Sequence, residues 1–440
     1  MFYDVIVIGA GLAGLMAAEA AQIKGARVLV LARGLGSLPL TSGCIDGLGY
    51  LPTSTNNFLP SPLNALDKLR EGFPHHPYVK VGREKILSSL AHFQELASLG
   101  GMPYCGSFES TLLLPTPLGT FHPTCLAPET MKDGSLNIPG PVLLLGFEGL
   151  KDFSPFLAAE NLNILRARGA VASSFRAETL SRLDLGGKAL NAVNLARAFD
   201  VEDFRNQFSR KVKPLLKKGE RLGLPAILGF HSSFEDWADL KKKLDSEIFE
   251  LPLPPPSVPG LRLYNLLRNH LRDKGVRIII GLSALNPLID GKKLIGFALG
   301  GSKQGPFYKA PAFVLATGKF VGGGLDSDRG KIYETLLDLP VNHPKNRGEW
   351  FNPRILAATG QPFNRFGVEV DQNLQPVDRQ GQVIYSNLFA AGGIIAQADS
   401  MSEKSGGGVA IATGYVAGTL AASFINQKTI NHSAAEEEGN

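Results

Sequence analysis

The sequence predicts an α/β protein built round a Rossmann-type parallel sheet, and three observations at its start carry that expectation. Asp4 to Ile8 is a short apolar run of the kind that fills a central strand, because a parallel strand is covered on both faces and has no polar side to show. Gly9-Ala10-Gly11-Leu12-Ala13-Gly14 follows directly and opens an alanine-rich helical stretch from Leu12 to Lys24. Gly25 ends that stretch and Arg27 to Leu31 reads as a second buried strand, so a complete β-α-β unit closes by Leu31.

The glycine spacing has a mechanical meaning. Gly9 permits a tight turn, Gly11 lets backbone approach a phosphate, and Gly14 lets the helix pack closely on the strand. With Leu12 and Ala13 they form a cradle whose unpaired amides and helix dipole face a diphosphate. In this nucleotide-binding class the second strand usually ends in an acidic residue that holds the adenosine ribose. Here Ala32 and Arg33 stand at that place, so the acidic grip is missing. Arg33 is a candidate phosphate ligand or an exposed strand-end cation.

Bulk properties narrow the class further. The 440 residues are 44% hydrophobic and 19% charged, as in an ordinary globular protein with room for more than one core. Lys and Arg number 45 against 40 acidic residues, a diffuse +5 that gives no reason to expect a nucleic-acid partner. The run Arg210, Lys211, Lys213, Lys217, Lys218, Arg221 reads as a solvated face or, more sharply, as a partner-docking patch. Cys44, Cys105 and Cys125 include no Cys-x-x-Cys pair, so no metal or self-supplied iron–sulfur cluster is expected. The absence of a disulfide pattern, and Asp4 inside the apolar start, point to a cytoplasmic chain. Gly408 to Ile425 is studded with Gly and Thr and reads as a buried helix, so no membrane span of its own is expected.

Further along, Thr41-Ser42-Gly43-Cys44-Ile45-Asp46-Gly47 is a loop, and Gly82 to Leu99 is patterned as a helix. Met102 to Pro128 is extended and proline-rich. Pro141 to Phe147 is a buried strand with a helix after it through Ala167, and Arg176 to Leu251 is mostly helical and charged. Leu261 to Lys274 is an amphipathic helix, and Lys293–Leu299 and Phe307–Leu315 form an antiparallel pair.

Two late segments separate nicotinamide from flavin chemistry. Phe313-Val314-Leu315-Ala316-Thr317-Gly318 and Asn387-Leu388-Phe389-Ala390-Ala391-Gly392-Gly393 are strands ending in glycine, and both resemble segments of flavin-dependent oxidoreductases with the glutathione-reductase-type fold. Gly406-Gly407-Gly408 then opens a helix whose dipole would stabilise negative charge on a reduced flavin. The expected architecture is therefore a Rossmann-type, glutathione-reductase-like flavin domain, with parallel sheet and antiparallel meander, over residues 1–55, 258–325 and 380–440. Residues 56–257 and 326–379 would form an α+β capping, substrate or partner-docking domain.

A narrower resemblance covers almost the whole chain. Phe2 to Leu15, Arg33-Gly34, Ser42-Gly43-Cys44-Ile45-Asp46, Phe389 to Gly393 and Gly406 to Gly414 resemble the B subunit of anaerobic glycerol-3-phosphate dehydrogenase. That resemblance implies a flavin subunit of a respiratory complex that oxidises glycerol 3-phosphate to dihydroxyacetone phosphate. Its partners would be a catalytic flavin subunit and an iron–sulfur, membrane-anchoring subunit that passes electrons to quinone, placing the chain on the inner face of the plasma membrane through those partners. The resemblance implies FMN, whereas the intact diphosphate cradle favours FAD. Thr41, Ser42, Gly43 and Cys44 join the expected flavin contacts, although Cys44 reads equally as a small core hydrophobe. Catalytic residues stay open: His343, Arg354, Arg365 and His122, with Arg329 and Arg347 in the same late segment, are candidates for a base or phosphate ligand, the first four each with a structural reading beside it. A self-sufficient flavin-dependent oxidoreductase of a small organic acid or phosphorylated alcohol, and a non-catalytic assembly subunit, are the alternatives.

Overall fold

In the computed structural model, residues 1–52, 58–181, 183, 185–300, 306–357 and 359–437 are described, with side chains of the last helix described through Ile425. The chain divides into two compact units: Met1–Ser37, Asp46–Phe93 and Leu267–Asn440 form the first, Leu38–Ile45 and Gln94–Leu266 the second.

The first unit is organised by a five-stranded parallel sheet. Its strands are β1 (Val5–Ile8), β2 (Val28–Ala32), β3 (Arg277–Ile280), β4 (Ala312–Leu315) and β5 (Leu388–Ala390), in the spatial order β3-β2-β1-β4-β5. Val5 pairs with Val28 on one side and Ala312 on the other, so β1 is central and all four of its residues are buried. Burying each such Val or Ile stabilises the fold by about 1.5–3 kcal/mol, which explains the unbroken apolar run. A three-stranded antiparallel meander, Ala284–Asp290, Lys293–Leu299 and Phe307–Lys309, accompanies it. The antiparallel pairing expected to run through Leu315 stops at Lys309. Pro311 has no amide to continue the ladder, and the chain turns there so that Ala312–Leu315 enters the parallel sheet instead.

Helix α1 (Leu12–Ile23) crosses from β1 to β2 and packs against α2 (Gly406–Glu437). The approach is backbone to backbone. A β-carbon on Gly414 would lie 2.3 Å from the Ala13 carbonyl oxygen, and one on Gly418 would lie 2.1 Å from that of Ala17. Gly406–Ile425 is long and apolar enough to cross a membrane by length and composition, but its small residues are spent on this contact.

Residues 58–93 and 326–379 belong to this unit for identifiable reasons. The Tyr78 hydroxyl donates to the Gly47 carbonyl at 2.6 Å, and His76 pairs with Glu403 at 3.1 Å, both fully buried. Val368 bridges to Ile395 just beyond β5. Sequence texture assigns both stretches to a cap because those partners are remote in the chain.

The second unit is centred on a parallel sheet of four strands, Ile248–Leu251, Arg221–Pro225, Gly140–Phe147 and Ser173–Leu180 in that order. Three of these lie in the stretch expected to be helical. Arg221 illustrates why: its charge hides a fully buried strand, and its guanidinium donates to the Asp133 and Ile138 carbonyls and to Ser173. It is therefore not part of a solvated basic face, whereas Arg210, Lys211, Lys213, Lys217 and Lys218 are not buried in this way. Glu250, also on a strand, takes both arms of Arg262 at 2.8 and 3.0 Å. Helices Pro155–Ala167, Ala192–Phe199, Glu202–Val212 and Ser233–Leu244, a hairpin and an antiparallel strand pair enclosing it also belong to the unit.

Replacing Gly418 by Val should lower stability by about 1–3 kcal/mol, since overpacked atoms would meet backbone that cannot move aside. The midpoint of urea unfolding reads this, and an unchanged midpoint would show that the two helices do not touch.

Candidate functional site

The chain leaves β1 through a turn that glycine alone can make. Gly9 has φ of +119°, and a β-carbon there would lie 2.1 Å from the Ala316 carbonyl oxygen. One turn on, a β-carbon at Gly14 would lie 1.9 Å from the Gly9 carbonyl oxygen. Gly11 caps α1 without a side-chain hydrogen bond, and the first turn, with Leu12 and Ala13, holds no acidic residue. The end of the helix thus presents backbone N–H groups and a positive dipole, the arrangement that suits a phosphate.

The cradle has a second wall that the glycine motif does not contain. Gly36, with φ of +71°, lies in the turn after β2, and a β-carbon on it would be 2.6 Å from the Gly11 Cα. Gly34, singled out in the sequence, has open space around it. The signal is present in Gly34-Leu35-Gly36, but only the packing shows which glycine is needed. Arg33 is exposed and reaches the glycine turn after β4, where its Nη1 would be 3.1 Å from a β-carbon on Gly323.

Three glycine turns converge at the carboxyl ends of β1, β4 and β5, the crevice where open α/β sheets receive ligands. Gly392 has φ of +70°, a β-carbon on it would lie 2.5 Å from that of Ala13, and its N–H donates to Thr413 Oγ1 at 2.8 Å. Gly393 faces Gly318 and Lys319, 3.7 Å from the Gly318 Cα and 3.8 Å from the Lys319 nitrogen as measured from a built β-carbon. Gly318, with φ of +72°, and Thr317 begin a loop that folds back on itself at Gly322 and Gly324.

Beside this crevice lie polar groups that sequence reasoning largely missed. Lys319 Nζ donates to the Ala398 carbonyl at 2.9 Å and to the Asn364 carbonyl. Burial pushes its ammonium down to about 8, opposed by Glu403 and Asp399 and reinforced by Arg365. Asp399 is fully buried, and its Oδ1 accepts from the Met401 and Ser402 amides at 3.2 and 3.0 Å. Thr317 Oγ1, Arg365 Nη2 and Asp399 Oδ2 are buried without a hydrogen-bond partner within the protein. Unmatched buried polar atoms are rare because each costs about 1–3 kcal/mol, so these three are available to a ligand.

The start of α2 differs from the expected open helix end. The Gly408 amide is already given to the Asp46 carbonyl at 2.8 Å, and a β-carbon on Gly408 would lie 2.1 Å from the Tyr78 hydroxyl. Gly406 and Gly407 precede that closed position. Burial alone would raise the Glu403 carboxyl, but hydrogen bonds from His76, the Asp399 amide and Ser405 outweigh it and hold the group below the usual carboxylate range.

The remaining sequence candidates have identifiable partners of their own. Thr41, Ser42, Gly43 and Cys44 belong to the second unit, where Thr41 donates to the Leu38 carbonyl and the Gly43 carbonyl accepts from Tyr104. Ser42 Oγ accepts from the Cys44 amide, and the Cys44 thiol packs in a core cluster with Leu114, Ala127 and Met131. His122 sits on a hairpin strand of the same unit, opposite Leu114. His343 is wedged edge-on to Trp350 with Nδ1 2.7 Å from the Pro344 carbonyl, a structural setting. Arg354 is exposed on a loop that Gln361 clamps from the inside. Arg365 is the catalytic candidate that reaches the polar cluster at the crevice.

A parallel sheet whose strand ends meet in glycine turns over an uncapped helix defines a dinucleotide-binding flavoprotein. Residues 4–409 match the model of the FAD binding domain family, and the chain belongs to that family. Within it, the chain is 34% identical over 440 residues to the probable anaerobic glycerol-3-phosphate dehydrogenase B subunit of Halobacterium salinarum, covering 97% of this chain and 99% of that one. It is 32% identical over 417 residues to the anaerobic glycerol-3-phosphate dehydrogenase B subunit of Yersinia enterocolitica, covering 93% and 96%. The B subunit of Pectobacterium carotovorum is 30% identical over 419 residues, covering 93% and 96%. This chain is thus a member of the family of anaerobic glycerol-3-phosphate dehydrogenase B subunits.

The residues present fit a flavin dinucleotide. Gly11 and Gly36 leave a backbone-lined cradle that a side chain on Gly36 would fill, and Thr317, Arg365 and Asp399 keep polar atoms without a partner in the protein. The family model sides with the cradle in favour of FAD over the FMN implied by the narrower resemblance.

Two outcomes follow. Gly36→Val should weaken flavin retention by about tenfold or more, the scale of a 1–3 kcal/mol packing conflict, measured as flavin per chain after dialysis. His76→Ala should cost about 3–5 kcal/mol by leaving a buried carboxylate without its partner. Because the Glu403 pKa is lowered on folding, its contribution is present above the unfolded carboxylate pKa and is lost as pH falls through the folded value. Glu403→Gln should therefore flatten the acid limb of a stability-against-pH curve, and an unchanged limb would contradict the assignment.

Proposed function

We propose that this chain is the electron-relaying flavin subunit of a respiratory glycerol-3-phosphate dehydrogenase complex, helping to oxidise sn-glycerol 3-phosphate to dihydroxyacetone phosphate. The observation that carries the reading is the cradle itself, an uncapped α1 walled by Gly11 and Gly36, in a chain that matches B subunits over nearly its full length. FAD, once bound, supplies acceptance and release of an electron pair. Gly9, Gly11, Leu12, Ala13 and Gly14 hold its diphosphate through backbone, and Arg33 adds positive charge at the end of β2. Thr317, Gly318, Gly392 and Gly393 let backbone approach the rest of the cofactor, with Gly406 and Gly407 at the mouth of α2.

Several features favour relay over independent dehydrogenation. His343 packs edge-on to Trp350 with Nδ1 at the Pro344 carbonyl, and Arg354 is exposed on a loop, so neither is held as a catalytic group. Three cysteines without cluster spacing call for iron–sulfur centres in a partner. The catalytic flavin subunit and the iron–sulfur, membrane-anchoring subunit fill those roles, and the chain sits on the cytoplasmic face of the membrane through them. The second unit, with its exposed Arg210–Lys218 run, serves as a partner-docking surface.

Under anaerobic conditions, glycerol 3-phosphate added to the flavin-loaded chain alone should bleach its flavin absorbance slowly or not at all. Addition of the partner subunits should then bleach it fully. Complete, rapid bleaching of the isolated chain would overturn the relay reading in favour of a self-sufficient dehydrogenase.

A further inference from the structure

The Lys319 ammonium is buried and is held by backbone carbonyls in place of a carboxylate. It is carried by the glycine loop after β4, and it is anchored by the carbonyls of Asn364 and Ala398, the residues immediately before Arg365 and Asp399. An ammonium has three N–H groups, so one is left unspent. Among the described residues no carboxylate lies within ion-pair reach of it. The nearby acids are engaged: Glu403 receives His76, Ser405 and the Asp399 amide, and Asp399 Oδ1 caps the short helix Ser400–Glu403. The charges of Arg365 and Asp399 act on this cation, and Arg365 Nη2 and Asp399 Oδ2 have no hydrogen-bond partner in the protein. A fold that needed only a salt bridge here would have closed one.

Its place in the fold gives the direction. The Lys319 backbone nitrogen is 3.8 Å from a β-carbon built on Gly393, and Gly392 in turn meets Ala13 of the phosphate-binding helix. The lysine therefore belongs to the same crevice as the cradle, on the side of β4 and β5.

Resting on the reading of this crevice as a flavin site, we propose that Lys319 is the cation that sets the charge environment of the bound flavin ring, with Arg365 and Asp399 completing the ring's polar contacts. A fixed positive charge in a water-poor site favours the form of the ring that carries more negative charge, so it raises the reduction potential. Lys319 thus acts as a potential-setting residue that makes this flavin a better electron acceptor. The charged groups that face it are Glu403 from helix Ser400–Glu403, Asp399 at that helix's N-cap and Arg365 from the turn Pro362–Arg365, while His76 hydrogen-bonds Glu403. Because the ammonium ionises near 8, its effect should be full at neutral pH and fade as pH rises through that value.

The test is anaerobic spectroelectrochemical titration of the full-length, flavin-loaded chain across the pH range around 8. The natural chain should show an extra downward bend in potential there. Lys319→Met should have a lower potential at neutral pH and no bend. Lys319→Arg should restore the neutral-pH potential while still lacking the bend, because its guanidinium stays charged. Should Lys319→Met fail to fold, Lys319→Arg alone decides: retention of the bend would overturn the proposal. A Lys319→Met chain with flavin bound and the potential and pH profile of the natural one would also overturn it. A natural chain that binds no flavin at all would instead sink the flavin-site reading on which the proposal rests.

Discussion

The carbonyl oxygen of Gly9 lies 1.9 Å from where a β-carbon on Gly14 would stand, and the ligand-facing end of the first unit depends on that missing atom. Because α1 can press against the turn that launches it, its amides arrive at the strand ends instead of above them. The same device recurs where Gly414 and Gly418 bring α2 onto α1 and where Gly392 meets Ala13. Side chains would separate these backbones by the width of a methyl group or more, and a cradle for phosphate would become a packed core.

Charge is distributed round this backbone frame in an orderly way. The cradle end presents helix amides and the nearby Arg33, with no carboxylate in the first turn of α1. The opposite end carries Lys319, Arg365, Asp399 and the buried His76–Glu403 pair. That pair is also the fastener that binds residues 46–50 to the start of α2, since the Gly49 and Tyr50 amides donate to the Glu403 carbonyl. Glu403 therefore ties residues 46–50 to this end of the first unit through its backbone carbonyl, and His76 through its side chain.

What could be read from the sequence follows the range of the interactions involved. The β-α-β unit and its cradle were legible because Gly9, Gly11 and Gly14 act on neighbours a few residues away, and the apolar run of β1 needs no partner to be recognised. β4, β5 and their glycine turns were legible for the same reason. The strands at Ser173–Leu180 and Arg221–Pro225 were not, because Arg176, Glu178 and Arg221 disguise them and their pairing is long-range. The polar cluster was least visible. Lys319, Arg365 and Asp399 come from three separated segments, and none sits in a pattern that singles it out. Gly36 and Cys44 make the complementary point: a glycine beside the expected one does the packing, and a cysteine in a suggestive loop turns out to be a core residue.

The central claim is that the cradle between Gly11 and Gly36 holds a dinucleotide form of flavin. Native mass spectrometry of the purified full-length chain tests it most directly, since the mass added to the folded protein identifies the cofactor. The account predicts the increment of one FAD, lost together with the yellow chromophore on denaturation. An increment of FMN, or none after reconstitution with FAD, would contradict it.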